Sequence, residues 1–292
     1  MADVRYENSI GVALLLAWNR CFRKPVHPFN LEDEGKETFA EWEFAQSARL
    51  AWYYQPEVDL MAELRDRTVL DVGAGGGGKT TFYALNGARH VTGIDTQVDF
   101  IDQARAFAAS KGAQNLDFVV ANAEHLPFAD ASFDVCVMND VFEHLSKPEV
   151  ALTEVSRVLR TGGKVFINSP PYFHPYGAHL TDVIGIPYVH VLFPEPVLIN
   201  AYKKLALGTA SPEKRVSLRF GVVGGRERIT YVNHMTVARF QHITSSQRKF
   251  RTIIWKLVPL RKQGAFLLHT PLREYWTRMM VYVAEKVSEQ SP

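Results

Sequence analysis

Short apolar runs alternate with amphipathic stretches through the middle of the chain. The apolar runs have the length of buried strands, and the stretches between them have the periodicity of helices. Strands are predicted at 69–72, 90–94, 117–120, 133–138 and 164–168, with helices near 79–85, 98–109 and 148–159. This alternation predicts βαβ units, and therefore a parallel sheet with helices on both faces.

The pattern changes on either side of this central segment. Residues 1–66 are predicted to be helical, and the apolar run at 10–18 is too short to span a bilayer, so a short buried helix is predicted there. After residue 230, a helix at 236–243 and strands at 250–258 and 279–284 restore the α/β alternation. The C-terminal segment is therefore predicted to return to the same sheet.

Residues 169–230 interrupt the alternation. They are rich in Pro, Tyr, His and Gly, and one helix is predicted in them, at 195–205. A segment of this length exceeds ordinary loops, and ligands of open α/β sheets bind beyond the carboxyl ends of the strands. The predicted organisation is an N-terminal helical cap (1–66), a cofactor-binding core (67–168), a substrate lid insertion (169–230) and a last helix with two strands (231–292).

A glycine-rich turn follows the first predicted strand. Gly73, Gly75 and Gly77 allow a sharp turn and the close approach of a ligand to the backbone. The second predicted strand ends at Asp95, where a carboxylate can accept hydrogen bonds from both hydroxyls of a ribose. Dinucleotide-binding enzymes share both features, so these residues alone leave an NAD oxidoreductase open.

Three later segments separate the alternatives. Residues 122–128 (NAEHLPF), 133–145 (FDVCVMNDVFEHL) and 159–166 (LRTGGKVF) follow the glycine turn and Asp95 in order. Together these five motifs resemble the UbiE/UbiG-like class I methyltransferases (methyltransferase type 11), and they are not typical of NAD oxidoreductases. The resemblance implies a Rossmann-like, seven-stranded, mostly parallel α/β sheet with one antiparallel strand near its end.

The same resemblance implies S-adenosyl-L-methionine (SAM) as cofactor and assigns residues to it. Asn122 stands where many relatives have Asp, but its carbonyl can still accept a hydrogen bond from adenine. The residues implied are Asp71, Gly73, Gly75 and Gly77 for the methionine part, Asp95 for the ribose, Asn122 and Ala123 for the adenine, and Asn139 near the methionine amino group and sulfonium.

Histidines and tyrosines are the candidate groups for the acceptor. His144 lies in the EHL element, and His174 and His179 lie in the insertion; a histidine titrates near neutral pH and suits a general base. The remaining candidates for substrate contact are Tyr172, Tyr176, Asp182, Tyr188 and His190. No spacing of ligands is typical of a metal site, so none is predicted.

Composition adds little to this picture. The net charge is +2, with basic residues concentrated in the C-terminal third, which favours a solvated basic face over membrane contact. No nucleic-acid recognition module is present in the pattern. The two cysteines, Cys21 and Cys136, form no disulfide framework, and no signal peptide or anchor is evident, so a cytoplasmic protein is expected.

The predicted function is SAM-dependent methylation of a small, partly apolar molecule, at oxygen before nitrogen or carbon. Two alternatives share the same cofactor motifs: an enzyme of this fold that uses bound SAM or its product for cyclisation or rearrangement, and a non-catalytic SAM-binding protein. The intact glycine turn and Asp95 favour a functional cofactor site over the last of these. The sequence does not indicate the oligomeric state.

Overall fold

The computed structural model describes residues 9–288, which begin with four helices. Ser9 caps the first helix by accepting a hydrogen bond from Val12 N, and Thr38 forms a capping box with Glu41 at the third. The helices are α1 (Ile10–Asn19), α2 (Pro28–Asp33), α3 (Phe39–Leu50) and α4 (Leu60–Leu64), with a 3₁₀ turn at Ala51–Tyr53.

The central segment has the predicted βα order. Each predicted strand and helix is present, with boundaries that differ by a few residues from the sequence pattern. The elements are β1 (Thr68–Val72), α5 (Gly78–Leu85), β2 (His90–Asp95), α6 (Val98–Ser110), β3 (Leu116–Val120), β4 (Phe133–Asn139), α7 (Pro148–Val158) and β5 (Leu159–Ser169).

The insertion contains more regular structure than its sequence predicts. Besides the predicted helix, it has two further helices and a β-hairpin. Its Pro and Gly residues therefore separate short regular elements. Its elements are α8 (Val189–Leu192), α9 (Glu195–Ala206), α10 (Pro212–Arg219), β6 (Phe220–Val223) and β7 (Arg226–Ile229). After it come α11 (Val237–Ser245), β8 (Phe250–Pro259), a 3₁₀ helix (Lys262–His269), α12 (Arg273–Trp276) and β9 (Thr277–Lys286).

Seven strands form one sheet in the order β3-β2-β1-β4-β5-β9-β8. The first five strands pair in parallel, and β9 runs antiparallel to both β5 and β8. This confirms the predicted seven-stranded, mostly parallel, Rossmann-like sheet with its antiparallel strand near the end. The chain order reverses between β1 and β4, which is the place where open α/β sheets bind ligands.

Two large hydrophobic clusters cover the two faces of the sheet, and a small one packs α6 against β3. A fourth cluster lies outside the sheet, where Val12 and Leu15 of α1 pack with Val197 and Leu198 of α9 and with other residues of the insertion. The first helix and the insertion are therefore one packed layer above the carboxyl edge of the sheet.

The prediction that residues 10–18 form a buried helix is wrong for one side of α1. Val12 and Leu15 are buried, but Ile10 is 88%, Leu14 58% and Trp18 40% exposed. These three residues are four apart, so they form one exposed stripe along α1. Across residues 9–288, no helix combines the length and apolarity needed to cross a bilayer.

Candidate active site

A cavity of about 730 Å³ lies at the carboxyl ends of β1, β2, β3 and β4. α2 and α3 border it on one side, and the insertion and the start of β9 border it on the other. Predicted site residues that line it are Gly73, Gly75, Asp95, Asn122, Ala123, His144, His174, Tyr176 and His179. One cavity therefore joins the predicted cofactor residues to three of the candidate histidines.

The glycine turn needs glycine for both conformation and space. Gly73, Gly75 and Gly77 have φ values of 74°, 52° and 81°, in the left-handed region that L side chains rarely adopt. A Cβ at Gly73 would lie 2.2 Å from Val141 Cγ2, and one at Gly77 would lie 2.5 Å from Ala104 Cβ. The turn is thus packed against its neighbours on one side and open to the cavity at Gly73 and Gly75.

Asp95 is tied to the glycine turn by its side chain. Its Oδ2 accepts from Gly75 N at 3.1 Å, and its Oδ1 accepts from Gln97 N at 3.0 Å. Burial raises its pKa, and these backbone N–H groups oppose that rise. A carboxylate oxygen has further lone-pair sites, so Asp95 can hold the turn and still accept from a ligand in the cavity.

The two residues predicted at the adenine lie where β3 ends. The side-chain oxygen Oδ1 of Asn122 accepts from Glu124 N at 2.9 Å, which fixes the following turn. Asn122 is exposed on the cavity wall. Ala123 is buried beneath it. This wall also contains Ile94 and Phe100, which give it the apolar faces that a planar base requires.

Asp71, Gly77 and Asn139 lie behind the cavity wall, outside its lining. Asp71 is fully buried; its Oδ2 accepts from Thr80 Oγ1 at 2.6 Å, and its Oδ1 has no hydrogen-bond partner among the described residues. The Asn139 side chain accepts from Tyr54 Oη at 2.8 Å and donates to Tyr83 Oη at 2.7 Å. Both side chains thus support the turn and the strand end from within the core.

Lys79 is a cavity residue that the motif comparison did not single out. Its Nζ lies 3.2 Å from Glu43 Oε1 of α3 and donates to the Asn139 carbonyl at 3.3 Å. Burial lowers the pKa of Lys79, but the carboxylates of Glu43, Asp140 and Asp71 raise it above its usual value, so the ammonium stays charged. Its position in the sequence, directly after the glycine turn and at the start of α5, could have identified Lys79 as a cavity residue.

The histidines at the far end of the cavity differ in which ring nitrogen is free. His174 Nδ1 accepts from Tyr176 N at 3.2 Å, so its neutral ring carries the proton on Nε2. His144 Nδ1 lies 2.6 Å from the Tyr231 carbonyl, which only accepts, so this nitrogen carries the proton and Nε2 keeps its lone pair. Burial lowers the pKa of both rings to about 4, and it also lowers the pKa of His179 well below its usual value.

Four predicted substrate residues lie outside the cavity lining. Asp182 is fully buried and forms ion pairs with Arg215 at 2.9 Å and Arg219 at 3.2 Å. Tyr188 donates to the Tyr275 carbonyl at 2.8 Å. The rings of Tyr172 and His190 contact each other at 4.8 Å between centroids. Arg219, the ion-pair partner of Asp182, does line the cavity.

A family model described as "Methyltransferase domain" matches residues 70–167. The chain contains a methyltransferase domain. The matched residues run from β1 to β5 and include the glycine turn, Asp95, Asn122 and His144, so the predicted family is confirmed over the segment that builds the cofactor end of the cavity.

Curated relatives match between about a third and a half of the chain. The O-methyltransferase rstn1 of Aspergillus nomiae is 35% identical over 37% of this chain and 48% of its own length. The ubiquinone biosynthesis O-methyltransferase of Aromatoleum aromaticum is 33% identical over 50% of this chain and 59% of its own length. The chain thus spans about half of the length of these relatives.

A solved structure similar in fold extends over nearly the whole chain. The [4+2]-cyclase SpnF superimposes with a TM-score of 0.53 and 18% identity, over 98% of this chain and 95% of its own. At this identity the similarity concerns the fold alone.

The residues around the glycine turn fit SAM as a ligand. The turn presents backbone without side chains at Gly73 and Gly75, and Asp95 presents a carboxylate beside it. Lys79 supplies a buried positive charge suited to a carboxylate, and Ile94, Phe100 and Ala123 supply an apolar wall suited to adenine. The donor set therefore matches the carboxylate, ribose and base of this cofactor.

Proposed function

We propose that the chain transfers a methyl group from SAM to a small, partly apolar molecule. The observation that carries the proposal is the single cavity, which the glycine turn and Asp95 line at one end and His144 and His179 at the other. A volume of about 730 Å³ is in the range of sites for small ligands. Both curated relatives described above are O-methyltransferases by name.

The cofactor end would hold SAM through residues of this chain. Gly73 and Gly75 would face the methionine part, Lys79 its carboxylate, Asp95 the ribose, and Asn122 with Ala123 the adenine. When bound, SAM supplies a methyl group already activated on a sulfonium. The protein is then left to align the acceptor with that methyl group and to exclude water.

The opposite end of the cavity would receive the acceptor. His144 presents the Nε2 lone pair there, because its Nδ1 proton is directed to the Tyr231 carbonyl. His174 presents an N–H instead, because its Nδ1 accepts from Tyr176 N. A hydroxyl group next to the His144 and His179 rings would find acceptors for its proton, so we favour an oxygen acceptor over nitrogen or carbon.

Aromatic rings line the cavity on the side of α2 and α3. Phe39 of α3 packs against Phe29 of α2 and Phe100 of α6, each at 5.7 Å between ring centroids. These rings line the cavity together with Trp42. A wall of this kind favours a ligand with apolar surface.

Incubation with methyl-labelled SAM and a panel of phenols, enols and amines tests the proposal. We expect the label in a small-molecule product whose mass has increased by one methyl group, with S-adenosylhomocysteine (SAH) formed in equal amount. Asp95→Ala, which removes the ribose carboxylate, is expected to lose this transfer. Mass spectrometry of the products and SAH provides the measurement.

The same experiment distinguishes the alternatives. A cyclase of this fold would convert its substrate without a change in mass and without forming SAH. A non-catalytic binding protein would bind SAH and form no product from cellular small-molecule extracts either. Label found only in protein or nucleic acid would contradict the small-molecule acceptor while leaving methyl transfer in place.

A further inference from the structure

Three metal-ligating side chains meet at the acceptor end of the cavity. Ligand atoms of Glu143, His144 and His179 all lie within 4.8 Å of one another, and no other such group occurs in residues 9–288. His144 and His179 line the cavity, and Glu143 is buried just behind them. The sequence predicted no metal site because these residues come from two distant segments with no typical spacing.

The backbone of His179, one of the three clustered residues, has an uncommon conformation. Its φ is 53°, a region that non-glycine residues rarely adopt. Its carbonyl accepts from Arg219 Nε at 2.9 Å, and its N–H donates to the Tyr176 carbonyl at 3.0 Å. The surrounding structure thus fixes a strained backbone that brings this imidazole to within 5.0 Å of the His144 ring, between centroids.

Hydrogen bonds with neighbouring groups fix the orientation of His144 and Glu143 in the cluster. His144 donates from Nδ1 to the Tyr231 carbonyl, which leaves Nε2, 3.7 Å from Glu143 Oε1, as the free lone pair. Ser169 Oγ donates to Glu143 Oε2 at 2.9 Å, whereas Glu143 Oε1 is buried without a hydrogen-bond partner among the described residues. Metal sites commonly fix their histidines and carboxylates by such outer contacts.

A buried carboxylate oxygen without a hydrogen-bond partner is costly, and a bound cation is one way to satisfy it. In the described part of the chain, the basic group within 4.0 Å of Glu143 is the His144 ring. A divalent cation would satisfy the carboxylate oxygen and both imidazole lone pairs at once. Around a tetrahedral ion with bonds of about 2.1 Å, ligand atoms lie about 3.4 Å apart, so side-chain adjustments of about 1 Å would close the site.

We propose that Glu143, His144 and His179 bind one divalent transition-metal ion. Two imidazoles and one carboxylate favour Zn²⁺, Fe²⁺ or Co²⁺ over Mg²⁺ and Ca²⁺, which prefer oxygen ligands. Three protein ligands leave coordination positions open, and the cavity lies on that side. The metal site does not depend on methyl transfer, but its use in holding an acceptor oxygen rests on the proposed function.

As a metal ligand, His144 could not also act as the general base for the acceptor. A lone pair on Nε2 that binds a metal ion cannot accept a proton from the acceptor. An acceptor hydroxyl bound to the ion would have a lowered pKa and would release its proton to solvent before transfer. The metal would then replace a general base at this end of the cavity.

Calorimetric titration of the chelator-treated, metal-free protein with Zn²⁺ tests the site directly. We expect one ion per chain in the presence of excess Mg²⁺, with visible absorption bands of bound Co²⁺ as a second readout. Glu143→Gln and His179→Ala are expected to weaken Zn²⁺ binding by more than about 100-fold, since even the loss of an outer contact costs 10- to 100-fold. His174→Ala is the matched control, because His174 lines the same cavity but lies outside the cluster.

Each outcome bears on the proposal. Equal Zn²⁺ binding by all four proteins would place the ion on other histidines and overturn it, as would the absence of binding to the wild type. If His179→Ala does not fold by circular dichroism, Glu143→Gln decides, because it keeps the shape of the side chain. Titration of the metal-free wild type with SAH separates the two proposals. If the protein binds Zn²⁺ but does not bind SAH, the proposed methyl transfer is contradicted and the metal site remains.

Discussion

Asp182→Ala is expected to lower the free energy of unfolding by about 3–5 kcal/mol. The Asp182 carboxylate is fully buried between Arg215 and Arg219, whose side chains are 2% and 1% exposed. Arg215 keeps Asp33 as a second partner at 2.7 Å, but Asp182 is the ion-pair partner of Arg219 in the described part of the chain. Removing it leaves a buried guanidinium uncompensated.

Equilibrium unfolding in urea measures this effect. Asp130→Ala is the matched control, because Asp130 is 78% exposed in its pair with Arg157, and it is expected to change stability by no more than about 1 kcal/mol. A loss below that value for Asp182→Ala would contradict a structural role. The residue would then return to the group of candidate substrate contacts.

Asp95→Ala is expected to weaken SAH binding on the order of 100-fold. Two hydrogen bonds from ribose hydroxyls to a carboxylate are together worth about 3 kcal/mol or more, which corresponds to that factor. The substitution also releases Gly75 N, whose hydrogen bond to Asp95 holds the glycine turn. Asp95→Asn keeps one carbonyl acceptor, so its affinity for SAH is expected to lie between those of the wild type and Asp95→Ala.

Calorimetry with SAH measures these affinities. Asp117→Ala removes a carboxylate that is 72% exposed in its pair with His90 on the neighbouring strands, and it is expected to leave SAH binding unchanged. If Asp95→Ala binds SAH as tightly as the wild type, the ribose does not lie at the end of β2. The assignment of the whole cofactor end would then fail with it.

The cofactor end could be predicted because its determinants are local. Gly73, Gly75 and Asp95 lie at the ends of adjacent parallel strands, and strand pairing alone brings them together. The glycines are also required by their own positions, as the positive φ values of the turn show. The matching of residues 70–167 to a methyltransferase domain reflects the same contiguous stretch of chain.

The acceptor end could not be predicted to the same extent, because long-range packing decides which side chains face the cavity. His179 and Asp182 are three residues apart, yet one lines the cavity and the other pairs with Arg215 and Arg219 of α10. The same limit applies to part of the cofactor end. The pairing of Lys79 with Glu43 depends on α3 lying against α5, which no local pattern reveals. Asn139, a predicted cofactor residue, directs its side chain to Tyr54 and Tyr83 in the core.

The most direct test of the account is calorimetric titration of the wild-type protein with SAM, SAH and NAD⁺. A SAM-dependent methyltransferase is expected to bind the two adenosyl ligands at one site per chain and to show no heat of binding with NAD⁺. Binding of NAD⁺ without SAM or SAH would contradict the central claim. The glycine turn and Asp95 would then belong to a dinucleotide site, and the cavity to an oxidoreductase.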